Sequence, residues 1–261
     1  MPDQMGRVYT WSQPPQRIVS LVPSQSEYLW DLGLQNQLCG ITKFCVHPEA
    51  MFRKVSRVGG TKELDLEKIR ALQPDLIIGN KEENTKAQIE ILEKEFKVWM
   101  SDVNTLNDAF DMMLALGTIT DRTAEAQTLV EKLRNQLLPL KGMFSSTKVA
   151  YFIWHKPYML AGAHTFVHHL LDYLGFVNVA SHLNRYPEVS ERNLQDLNPT
   201  LCLLSSEPFP FKDEHQLHLQ SLLPQSKVFL ADGEVFSWYG SRLLHLPSHV
   251  KWIKQEIDQI K

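Results

Sequence analysis

The chain is poor in the features that usually announce a chemistry. Its three cysteines, Cys39, Cys45 and Cys202, are widely spaced and form no C-x-x-C pair, so neither a zinc knuckle nor a disulfide framework is indicated, and Cys39 and Cys202, set in apolar runs, read as small core residues. There is no G-x-S-x-G, no glycine-rich phosphate loop and no H-E-x-x-H. No apolar run approaches the roughly 20 residues that span a bilayer. The start, MPDQMGRVYTWSQPPQRIVSLV, lacks the basic head, apolar stretch and small-residue cleavage site of an export signal. Lys and Arg form no block and the net charge is −3, so no positive field awaits a nucleic-acid backbone.

What remains is an alternating pattern. RIVSLVP (17–23) reads as a strand and SQSEYLWDLGL as a helix, with Ser24 and Glu27 at capping-box spacing and Gly33 as the stop. LCGIT, DLIIG and KVWMSDV read as further strands, LDLEKIRALQP and ENTKAQIEILEKEF as helices. From Asn104 to Lys141 strand signals cease, and a long amphipathic helix is expected from about Asp121 to Leu138. Alternation resumes with KVAYFIW, AHTFVHHLLDYLG, ERNLQDLNP, TLCLLS, HQLHLQSLL and KVFLAD, and the chain closes on a helix, SRLLHLPSHVKWIKQEIDQI, broken or kinked at Pro247.

Three landmarks recur in order. RIVSLVP precedes KVAYFIW by about 131 residues, LQPDLII precedes LNPTLCL by about 125, and KVWMSD precedes KVFLAD by about 130, which indicates duplication of a β/α unit. The expected fold is therefore α/β, with two β/α lobes of parallel sheet (residues 1–120 and 142–261) bridged by one long helix (121–141) and a ligand cleft between the lobes.

Open parallel sheets bind ligands beyond the carboxyl ends of their strands. Candidates there are Ser24 and Gln25, at a helix start; Phe44 and His47 after LCGIT; Asn80 and Lys81 after DLIIG; Trp154 at the end of YFIW with His155 and Tyr158 beyond it; the segment SEPFPF after TLCLLS; and Trp238, Tyr239 and Arg242 in FSWYGSR, where rings beside a loop glycine are costly to expose without use. His164 and His168 stand four apart, on one face of a helix, but no Cys or carboxylate at ligand spacing completes a zinc set. Glu82 with Glu83, or Asp102 with Asp232, read as solvated turn carboxylates rather than an acid pair. No catalytic residue emerges.

RIVSLVPSQSEYLWDLGL, VGGTKELDLEKIRALQPDLIIG, the mid-chain helix and DYLGFVNVA…VSERNLQDLNPTLCLL resemble, in the right order and from about Gln16 to Lys261, the helical-backbone periplasmic binding proteins. These are substrate-binding components of ABC importers for ferric siderophores, haem and cobalamin. The resemblance implies a non-enzymatic, monomeric binding protein whose metal arrives already chelated, as cobalamin, haem or a ferric siderophore. It also implies an inner-membrane permease as partner, onto which a Glu from each lobe docks. Glu67 matches the first position; at the second, Arg192 stands in place and Glu191 one residue before it. Phe44 falls where the cobalamin-binding branch places a stacking ring. The implied location is the periplasm or the membrane surface; the missing signal leaves a cytoplasmic enzyme, chelatase-like protein or chelate sensor on the same fold as the alternative.

Overall fold

The computed structural model describes residues 2–258, and the chain forms two compact units. The first comprises the chain up to Val103 with Asn107–Lys132 and Trp238–Arg242; the second comprises Asn104–Leu106, Leu133–Ser237 and the residues from Leu243 on.

Five strands form the sheet of the first unit: β1 (Ile18–Ser20), β2 (Leu38–Ile41), β3 (Ser56–Arg57), β4 (Leu76–Asn80) and β5 (Val98–Ser101). All pairs are parallel and the order is β3-β2-β1-β4-β5. Helices α1 (Pro23–Asp31), α2 (Glu49–Lys54), α3 (Leu66–Leu72) and α4 (Lys86–Leu92) make the crossovers. β1, β4 and β5 are buried on both faces, as the interior of a covered parallel sheet requires, whereas the edge strand β3 is exposed; Val19, Leu21, Ile77, Val98 and Met100 pack with Val58, Ile69, Ile89 and Leu92. Strand order reverses between β1 and β4, the position at which such sheets open a crevice at their carboxyl edge.

α5 (Leu106–Ile119) and α6 (Thr123–Leu137) follow. α6 buries Ala126, Val130, Leu133 and Leu137 along one stripe, and the chain passes from the first unit to the second within it. The helix expected over 121–141 is thus shorter, and a 3₁₀ turn at Leu138–Leu140 follows it where Pro139 interrupts the pattern.

The second unit contains β6 (Lys148–Trp154), β7 (Tyr158–Leu160), α7 (Phe166–Tyr173), β8 (Val177–Asn178), β9 (Glu188–Val189), α8 (Glu191–Leu197), β10 (Leu201–Ser205), α9 (Asp213–Leu222), β11 (Lys227–Ala231), α10 (Gly233–Ser237) and α11 (Leu246–Asp258). β6 pairs in parallel with β8 and β10, and β10 with β11. The landmarks found in the sequence coincide in register: Ile18 faces Leu76 as Val149 faces Leu201, and Ile77 faces Val98 as Cys202 faces Val228. The second unit adds an antiparallel pair, β7 on the last residues of β6 and β9 on β7.

Several local expectations are corrected. Ser24 and Glu27 do not cap α1, because Pro23 already opens the helix and Val22 is the N-cap. Pro247 stands in the first turn of α11, after a 3₁₀ turn at Ser241–His245, rather than kinking a longer helix; the end of that expected helix, Gln259 and Ile260, lies outside the described residues. His164 lies before α7 at a φ of 60°, so it does not share a helical face with His168, whose Nδ1 is 3.1 Å from Asn178 Nδ2. Cys202 is buried, whereas Cys39 is only half-buried and donates to the Ile18 carbonyl at 3.3 Å.

Candidate functional site

In the first unit, the ends of β1, β4 and β5 carry a buried polar layer. Gln25 Nε2 donates to Ser101 Oγ, Asn80 Nδ2 donates to the same oxygen at 3.0 Å, and Ser101 Oγ donates to the Gly79 carbonyl at 3.2 Å. Asn80 Oδ1 in turn accepts from the backbone N–H groups of Glu82 (2.8 Å) and Glu83 (3.1 Å). Asn84 ties this layer to β1, accepting from Asn80 N at 2.8 Å and donating to the Leu21 carbonyl at 3.2 Å. Such a network fixes the loops after β1 and β4 while leaving one buried acceptor, Gln25 Oε1, without a partner. Ser24 and Gln25 are both buried, at the start of α1.

Trp238–Arg242 lies over α1. Gly240 makes this possible: its φ is +116°, and a Cβ there would stand 3.3 Å from Tyr28 Cβ and 3.4 Å from the Ser24 carbonyl. Trp238 and Tyr239 are each only 6% exposed, so the exposure expected of FSWYGSR is not found; the rings are packed walls. Trp238 meets His47 edge-on at 6.0 Å and carries the Arg242 guanidinium 5.1 Å from its centroid. Arg242 Nη2 and Nε grip Glu27 at 2.8 and 3.0 Å, with both side chains 11% exposed. Burial pushes the Glu27 carboxyl above its ordinary value, against the opposing pull of Arg242. Burial likewise pushes the Tyr239 phenol up, helped by the nearby Glu83 charge and opposed by hydrogen bonding with Ser101 and Ser24.

The outer members are Phe44, half exposed with the Lys43 ammonium 5.2 Å from its ring, His47, and Lys81, whose Nζ is 2.6 Å from Asp102. Asp102 is thus held in an ion pair.

In the second unit the rings gather after β6 and β10. Trp154 is 40% exposed and meets Phe209 at 5.6 Å. His155 lies 5.1 Å from Tyr158, 5.6 Å from Phe209 and 4.9 Å from His215. Phe209 and Phe211, 4.8 Å apart, sandwich the edge of His215, whose Nδ1 accepts the backbone N–H of Lys212 at 2.9 Å. Burial, then the neighbouring His215, Lys156 and His218, hold the His155 imidazole below its ordinary value. Tyr158 opens β7 and is buried.

Phe209 and Phe211 lie in SEPFPF, the segment that follows the strand TLCLLS in the sequence, whereas His215 is missed by sequence and is brought in only by the packing of α9. The expected docking residues lie at helix starts. Glu67, in the first turn of α3, has 83% of its side chain exposed and is 2.5 Å from Arg70 Nη1; Glu191, the first residue of α8, lies 3.5 Å from His218 Nε2. No group of three or more His, Cys, Asp or Glu among the described residues is arranged to hold a metal ion, and no helix among them is long and apolar enough to cross a membrane.

Two α/β units of repeated topology, each with rings and a few polar groups at the carboxyl edge of its sheet, are the architecture of a binding protein. Residues 18–224 match the model of the periplasmic binding proteins, and the chain belongs to that family. It is 29% identical over 202 residues to the vitamin B12-binding protein of Vibrio parahaemolyticus, covering 74% of this chain and 72% of that one. It is 23% identical over 211 residues to the cobalamin-binding protein of Halobacterium salinarum, covering 77% of this chain and 57% of that one. Among solved structures it is similar to the periplasmic vitamin B12 binding protein of Vibrio cholerae, with a TM-score of 0.75 at 20% identity over 92% of this chain and 98% of that one. A periplasmic haem binding protein of Pseudomonas aeruginosa gives 0.79 at 22% over 90% and 91%. The bilobal α/β fold expected from the sequence is the fold of these neighbours.

Proposed function

We propose that this chain is the substrate-binding component of an ABC importer and that it captures a bulky metal chelate of the cobalamin, haem or ferric siderophore class. The observation that carries this reading is the gathering of rings at the carboxyl edge of each sheet, in a family whose members similar to this chain are named for vitamin B12, cobalamin and haem. Flat ring faces suit a macrocycle, because stacking and dispersion grip it without demanding a charge. The metal enters inside its chelate, and the protein supplies surface, not ligands. Phe44, His47 and Lys81 form the outer contacts of the first unit, and Trp154 and His155 those of the second.

The reading extends to a monomer that works outside the inner membrane and delivers its cargo to a permease. Exposed Glu67 is the first docking contact, and Glu191, beside His218, the second. The test is a titration of cyanocobalamin, haemin and a ferric hydroxamate, followed by tryptophan fluorescence. One class is expected to quench with a dissociation constant of about a micromolar or tighter; silence toward all three would overturn the reading.

A further inference from the structure

An uncharged chelate and a carboxylate-bearing one of the same size ask different things of a ring-lined surface: the second needs a cation whose charge is not already spent. At the carboxyl edge of the first unit's sheet the buried cation joined to the ring wall is Arg242, 5.1 Å from the Trp238 centroid, with His47 on the same indole; Lys43, 5.2 Å from the Phe44 ring, is an outer one. Its planar fork is occupied by both oxygens of Glu27 in a bidentate grip of 2.8 and 3.0 Å. Glu27 stands one turn along α1 from Ser24, so the helix that follows the first strand delivers the neutralising carboxylate to this wall. Nearby, Lys81 is paired with Asp102 at 2.6 Å, and the charges of Glu82 and Glu83 reach Tyr239.

We infer that Glu27 sets the charge selectivity of the first unit's ligand face: by occupying Arg242 it admits an uncharged or amide-rimmed chelate and refuses a carboxylate-rimmed one. This rests on the chelate-binding reading and narrows it. A ligand carboxylate reaching Arg242 would have to displace Glu27 or share one guanidinium with it, two anions against one cation at a site largely withdrawn from water. An amide rim meets no such opposition. The groups that face Glu27 are Arg242, Asp31 and His47; burial raises its pKa, Asp31 adds to the rise, and Arg242 and His47 oppose it. Acidification therefore protonates Glu27 earlier than an ordinary glutamate and returns Arg242 to the ligand.

The experiment compares, on the full chain, dissociation constants for cyanocobalamin and for its monocarboxylic acid isomers, in which one side-chain amide is an acid. Three proteins are used: the parent, Glu27→Gln, and the double variant Glu27→Gln/Arg242→Gln. Glu27→Gln is expected to improve binding of at least one monocarboxylate relative to cyanocobalamin by about tenfold, as a newly available charged hydrogen bond allows, and the double variant to lose that gain. Should Glu27→Gln fail to fold, Glu27→Met, which keeps the length and removes the charge, is titrated in its place, and the same relative gain is expected. An unchanged ratio in Glu27→Gln, or in Glu27→Met where Glu27→Gln does not fold, would overturn the inference, as would a parent that binds haemin, with its two propionates, more tightly than any corrinoid. A parent that binds no chelate at all would overturn the reading beneath it instead.

Discussion

Single side chains in this protein carry unequal weights, and the heaviest belong to charges withdrawn from water. Glu27→Ala would leave the Arg242 guanidinium buried without its partner, and a loss of about 3 kcal/mol in unfolding free energy is expected by urea denaturation. Two imidazoles give a pH dependence of definite sign. Burial holds His155 and His249 below their ordinary value, so the unfolded chain binds these protons at a higher pH than the folded chain does. Their contribution to stability is complete above the ordinary value of 6.5 and is lost as pH falls from there through the lowered folded value. Thermal unfolding is therefore expected to show a falling midpoint on acidification, with a shallower fall in His155→Gln and again in His249→Gln; an unchanged slope in both would contradict the assignment. At this scale the sequence misled where a residue's partner is remote. Glu27 has capping-box spacing from Ser24, but its partner comes from the far end of the chain, and no local pattern could have named it.

Among elements, the repeated helix–proline–strand unit is the clearest case of sequence dictating structure. α3 and α8 each end on a left-handed residue, Gln73 at φ 46°, ψ 58° and Asn198 at φ 47°, ψ 60°, immediately before Pro74 and Pro199. Proline ends the helix, the left-handed cap turns the chain, and an apolar strand follows. Asparagine tolerates that conformation better than glutamine, so the two copies are not equally relaxed. Gln73→Gly is expected to raise stability by about 0.5 kcal/mol, read as a higher urea midpoint at unchanged slope. At the helix starts, Asp65 accepts the Lys68 N–H at 3.0 Å, and Asp65→Ala is expected to lower the urea midpoint. The long strands and helices were legible because hydrophobic period and proline breaks agree. The strands β3, β7, β8 and β9, of two or three residues, were not, because so short a segment has no period; β1, equally short, was legible through the apolar run RIVSLVP around it.

The molecule as a whole repeats one topology, and the repeat could be read before the structure because strand ends keep their spacing along the chain. The register of β1 on β4 and of β6 on β10 is the same device used twice. Which side chains gather at the strand ends was legible only in part. Trp154 ends β6, His155 follows it directly, and both were found; Phe209, Phe211 and His215 join them through α9 and the preceding loop. Trp238 and Tyr239 were named for exposure and turned out to be packed walls. A binding protein of this kind is tested at the level of its cargo. Calorimetric titration of the intact chain with cyanocobalamin, haemin and a ferric siderophore is the most direct measurement. The account predicts one chelate bound per chain for at least one of them, with binding weakened about tenfold or more in Phe44→Ala and in Trp154→Ala. Heat-silent titrations with no bound chelate after gel filtration, or binding untouched by both substitutions, would contradict it.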